Sequence, residues 1–106
     1  MSARQLGMLG LGLRAGSVIV GTGGVRAALQ RGEVKLLILA ADVSSRTEQK
    51  VVRLAESTGI PMLSGPEARE LGRRLGRDAV QAVGVRDARL AAGIVGDESS
   101  TEARRT

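Results

Sequence analysis

The sequence predicts an α/β fold: a three-layer α/β/α sandwich around a mixed sheet of about four strands. Short apolar runs, Val18–Val20 and Leu36–Ala40, alternate with stretches whose apolar residues recur at helical spacing. Glycines at 16, 21, 32 and 59 punctuate the joins. The 106 residues suffice for one core and not for two.

The elements follow in order. Leu6, Leu9 and Leu13 define a first helix over about 3–15. Its glycines lower helix propensity by roughly 1 kcal/mol each relative to alanine, which implies close packing there. Val18–Val20 is a strand, and a helix begins near Gly23 with Val25, Ala28 and Leu29 on one buried face. Thr22 is the expected cap and Gly32 the C-terminal glycine. Leu36–Ala40 reads as a central strand buried on both faces. Ser44, Ser45 or Thr47 caps the next helix, about 46–57. Ile60–Leu63 reads as an edge strand, because Pro61 has no amide for a ladder. Ser64 as cap, Pro66 and Glu67 open a helix to Leu75. Residues 79–85 give the last strand, and Asp87 caps a final helix reaching about Val95. Residues 1–96 thus form a single domain, and the polar residues 97–106 a disordered tail.

Composition removes whole classes of function. With no Phe, Trp or Tyr, no aromatic platform can stack single-stranded bases. With no Cys or His, there are no disulfides, no zinc sites and no Cys- or His-based catalysis; no metal or cofactor is expected. The net charge is +5; the tail holds three acids and two arginines, so residues 1–96 carry +6. All but two of the basic residues, Lys35 and Lys50, are arginines, whose forked donors match phosphates and guanine edges. A small, basic, aromatic-free domain points to structured RNA or a duplex met through phosphates and groove edges. No run of 18 apolar residues occurs and no signal peptide is evident, so a cytoplasmic location without membrane contact is expected.

Gly21-Thr22-Gly23-Gly24 carries the strongest local signal. A strand feeding a glycine-rich turn and a helix start presents free amides and a partial positive charge to anions. It is neither established phosphate signature: the P-loop's Gly-Lys-Ser/Thr ending is missing, and Arg26 stands where a dinucleotide fingerprint has its third glycine. Asp42 and Ser44 lie at the C-terminal end of the central strand, where α/β sheets place ligands. A serine nucleophile would need a base, and none is local in sequence. Asp42 is then either a turn residue bonding its own backbone or the partner of an RNA-facing arginine. Ser64-Gly65-Pro66-Glu67 also follows a strand and opens a helix. If the strands before Gly21, Asp42 and Ser64 run parallel, their three loops share one side, with Arg26, Arg46 and Arg69 at its margin.

In this order and spacing the chain resembles the kink-turn RNA-binding ribosomal protein superfamily (the L-seven-Ae family), in the small bacterial branch typified by YlxQ and YbxF. The resemblance covers about 6–95. It rests on Leu9-Gly10-Leu11-Gly12-Leu13-Arg14-Ala15-Gly16, on Gly21 with Val25, Ala28 and Gly32, and on Leu36 to Ser44 ending in Ala-x-Asp-x-Ser. Gly59-Ile60-Pro61, Glu70-Leu71-Gly72 and Gly76-Arg77 complete it. It implies a sandwich gripping a sharply bent RNA helix–bulge–helix. The helix after Gly21 enters the major groove beside sheared G·A pairs, and the Leu63–Glu67 loop packs on flipped bulge nucleotides. The sequence departs from the archaeal type, which has Asn-Glu at Gly23-Gly24 and Lys at Ala27; Arg26 is one position off.

Three functions remain open at this point. The first is a non-catalytic protein of structured RNA, ribosome-associated with rRNA or ribosomal proteins as partners, and with altered base readout. The second is a protein–protein module of the same fold that has lost RNA recognition. The third is a small nucleotide hydrolase using the glycine turn.

Overall fold

The computed structural model describes the backbone of residues 1–105 and the side chains of residues 1–97. Five helices and four strands alternate: α1 (Ala3–Arg14), β1 (Val18–Val20), α2 (Thr22–Gln30), β2 (Leu36–Leu39), α3 (Ser45–Thr58), β3 (Met62–Ser64), α4 (Ala68–Arg74), β4 (Ala82–Val85) and α5 (Ala88–Arg105). The sheet order is β1-β4-β2-β3. β4 is antiparallel to both β1 and β2, with Val85 opposite Val18 on one side and Leu36 on the other. β3 is parallel to β2, with Met62 opposite Leu37. Strands β1, β2 and β3 therefore all point the same way, and β4 alone opposes them.

The period-two alternation of a strand divides the core into two layers. Leu36 and Ile38 of β2 face α1, α4 and α5, packing with Leu9, Leu71 and Ile94. Leu37 faces the opposite layer, with Val25 and Ala28 of α2 and Val51 and Ala55 of α3. Leu36, Leu37 and Ile38 expose none of their surface, and burying such a side chain contributes about 1.5–3 kcal/mol. This is the α/β/α sandwich with a mixed four-stranded sheet that the alternation predicts, and β2 is interior with β3 at an edge.

The boundaries differ in informative ways. β4 begins at Ala82, not at 79, because residues 79–81 belong to the approach from α4: the Val80 amide donates to the Ala68 carbonyl. Among the α1 glycines, only Gly12 is held by packing. A Cβ there would lie 2.4 Å from Leu90 Cδ2 and 2.7 Å from Val18 Cγ2, whereas Gly7 and Gly10 face open space. α1 starts with a capping box: Ser2 Oγ accepts from the Gln5 amide, and Gln5 Oε1 accepts from the Ser2 amide. Gln5 is 1% exposed, and its Nε2 also donates to the Ile94 carbonyl, joining α1 to α5. α5 continues to Arg105, past the Val95 end and through most of the tail that composition marks as disordered. No glycine or proline follows Gly96 to interrupt it.

Candidate nucleic-acid interface

The common direction of β1, β2 and β3 brings their following loops out at one edge of the sheet, as the sequence reading required. Backbone bonds knit them there. Gly21 donates to the Ala82 carbonyl at 3.0 Å, Gly65 to Leu39 at 2.7 Å, and Ala41 to Pro66 at 2.9 Å. Gln81, just before β4, adds a side-chain tie: its Oε1 accepts from the Ser44 amide at 2.8 Å. Nothing in the sequence marked Gln81, because its partner lies 37 positions away.

The three helix beginnings at this edge are not alike. α3 is capped by Ser44, whose Oγ accepts from the Thr47 amide at 3.2 Å. α4 is capped from a distance: Asp42 Oδ1 accepts from the Ala68 amide at 2.7 Å across 26 residues. Asp42 thus fastens the β2–α3 loop to α4, and among the described residues it makes no ion pair with an arginine. Ser64 is the last residue of β3 and not a cap, and the N-cap residue of α4 is Glu67, whose side chain makes no cap bond. Pro66 and Gly65 lie in the connection between them.

α2 alone begins without a side-chain cap. Its N-cap residue is Gly21 rather than Thr22, at φ 103°, ψ 146°, a conformation that requires glycine. Thr22 is the first helical residue. The opening amides of an α-helix have no intrahelical acceptor, and here Gly23 and Gly24 are exposed and bear no side chain to cover them. No acid lies in that first turn. The edge thus holds one open, electropositive helix start, at the β1 end of the sheet, beside two that carry a side-chain cap.

Arg26, one turn along α2, faces Arg46, Lys50 and Arg53 of α3 across an open cleft of about 390 Å³. Gln49 and Leu54 complete its lining, and no acid does. Arg69 is not part of this group. It sits on α4 in the opposite layer, in a cleft shared with Glu70, Arg73, Arg77 and Asp78; Glu70 pairs with Arg73 and Arg74. Lys50 and Arg53 escaped the sequence reading as site residues, although their i, i+4, i+7 spacing from Arg46 was visible. A second, mostly apolar cleft of about 340 Å³ lies between β3 and α3, bordered by Val43, Val52, Met62, Leu63 and Ser64. Among the described residues, no acid cluster is able to hold a metal ion, and no helix is long and apolar enough to cross a membrane.

Fold and edge together define a small, basic α/β/α sandwich domain. Residues 6–94 match the model of the ribosomal protein L7Ae/L30e/S12e/Gadd45 family, and the chain belongs to that family. Among solved structures it is similar to a Bacillus halodurans protein described as of unknown function. That match has a TM-score of 0.82 and 32% identity over 90% of this chain and 96% of the other. It also shares its fold with a Giardia lamblia 15.5 kD RNA-binding protein, with a TM-score of 0.74 and 19% identity over 94% and 92% of the two chains. No curated protein sequence matches it.

Proposed function

We propose that this chain is a non-catalytic, cytoplasmic, ribosome-associated protein that binds structured RNA of the kink-turn or a related helix–bulge–helix type, rRNA included, through the α2 edge. The observation that carries the proposal is the uncapped, acid-free start of α2, with Gly23 and Gly24 exposed and Arg26 beside it. Family membership and the RNA-binding Giardia neighbour support it. The 32% identity to a bacterial protein of nearly matching length supports placement in the small bacterial branch. A non-catalytic role is supported by what the two candidate nucleophile-region residues do: Asp42 Oδ1 and Ser44 Oγ each accept a backbone amide as helix caps.

The contacts this edge offers are chiefly to phosphates and backbone, which position an RNA without reading it. Gly21, Thr22, Gly23 and Gly24 supply amides, while Arg26 and Arg46 supply charge and forked donors. The Ser64–Glu67 loop and its neighbouring apolar cleft face the same side, suited to nucleotides turned out of the stack. With Gly23, Gly24 and Ala27 in place of amide, carboxylate and ammonium side chains, base discrimination falls mainly to Arg26.

Titration of a kink-turn RNA and an unkinked duplex at two salt concentrations tests this. Preferential binding of the kink-turn is expected, with Arg26→Ala weakening it by roughly 5- to 100-fold, the range of one lost bidentate contact. Negligible affinity of the wild type for both RNAs overturns the proposal.

A further inference from the structure

The cleft between α2 and α3 has a charge arrangement that folding does not call for. Arg46, Lys50 and Arg53 fall at i, i+4 and i+7, so they form one stripe along α3, and Arg26 closes the row from α2. Like charges four apart weaken a helix. None of the four forms an ion pair among the described residues, although Arg31, Arg73 and Arg74 elsewhere do. A row of uncompensated cations held at mild cost to the helix is a surface kept for a polyanion.

We infer that this stripe is a track for the phosphates of an RNA stem flanking the kink, extending the footprint from the start of α2 along α3. The inference rests on the RNA reading of the α2 edge and adds two contacts, Lys50 and Arg53, and a direction to it. Seven residues of helix span roughly 10 Å. A strand of B-DNA carries a phosphate about every 3.4 Å of its axis and an A-form RNA stem is at least as dense, so the stripe spans about three phosphates of one strand. A protein partner fits less well: protein hot spots need buried apolar or aromatic anchors, and the cleft offers one leucine, Leu54. The stripe also accounts for how a chain lacking side-chain readers at 23, 24 and 27 would hold RNA, by exchanging base contacts for sequence-independent electrostatics.

The test is the double variant K50Q/R53Q, which spares Arg46 of the α2 edge and retains good helix formers, and whose fold is verified by thermal melting. Binding is measured across a salt series with two kink-turn RNAs, one with a full flanking stem and one with that stem cut back. For the full stem, the slope of log affinity against log salt is expected to fall by about 1–2, and affinity near 0.1 M salt by roughly 10- to 100-fold. The ratio of kink-turn to unkinked duplex affinity should stay unchanged. The cut-back RNA should show the wild-type protein already weakened and the double variant with little further loss. An unchanged salt slope while Arg26→Ala still weakens binding overturns the stem track and leaves the α2 reading intact. So does an equal loss for both RNAs, which would place the stripe on the kink itself. Absence of RNA binding by the wild type removes both.

Discussion

Replacing Asp42 separates two roles that one carboxylate at a ligand-bearing sheet edge might be assigned. Its Oδ1 accepts the Ala68 amide at 2.7 Å, at the start of a seven-residue helix whose own N-cap side chain makes no bond. Loss of an N-cap acceptor costs about 1 kcal/mol. A charged acceptor at a helix start adds a dipole contribution of about 0.3–1 kcal/mol. Asp42 is exposed, which holds the total near the lower end of the charged hydrogen-bond range, about 1–2 kcal/mol. Asp42→Ala should therefore lower the urea-unfolding free energy by that amount and Tm by roughly 4–10 °C. Asp42→Asn keeps a neutral acceptor and should lose about half as much. Circular dichroism is the appropriate probe, since the chain has no aromatic side chain. RNA affinity measured well below the melting range should change less than threefold. Stability within about 0.3 kcal/mol of wild type, combined with a tenfold loss of RNA affinity, would refute the cap and restore an arginine-orienting role.

Other outcomes follow from the same geometry. Gly72→Ala should destabilise by about 1–3 kcal/mol despite better helix propensity, because its Cβ would lie 2.8–2.9 Å from backbone atoms of Asp78 and Ala79; chemical denaturation checks this, and a stabilised variant would contradict the close approach. Installing Gly23→Asn with Ala27→Lys should raise kink-turn preference over duplex by about 1–3 kcal/mol per reader regained, read by competition binding; position 23 has open space for a side chain, whereas at 24 a Cβ would press on Ile19 Cγ2 at 3.1 Å. Removing residues 98–106 should shift Tm by less than about 2 °C, since the domain is taken to end near 96; a larger drop in a melting scan would make the end of α5 part of the fold.

How far the sequence discloses this molecule depends on the range of the interactions. Val18–Val20 and Leu36–Leu39 announce themselves because a buried strand must be apolar, and Gly32 and Gly59 because a left-handed helix end favours glycine. The shared edge of the three loops was conditional on strand direction, which the residues alone leave open. Antiparallel β4, paired to β1 and β2 from far along the chain, is what resolves it. Capping was legible where donor and acceptor are neighbours, as at Ser44 and Asp87, and illegible at α4, whose acceptor arrives from Asp42. Thr22 has the right chemistry for a cap one position too late, because Gly21 takes a backbone angle no other residue tolerates well. Arg69 seemed to join Arg26 and Arg46 because helical order says nothing about which layer a helix joins.

The position of β4 has a temporal consequence. Among the described residues β1 hydrogen-bonds to no other strand, so it joins the sheet only when the segment Ala82–Val85 inserts between it and β2, although α2 already packs on α3. During synthesis the chain cannot assemble this edge before four-fifths of it has been made. The middle of the sheet is therefore the last part to be supplied, and the ties from the Gly21 amide to the Ala82 carbonyl and from the Ser44 amide to Gln81 Oε1 come only with it.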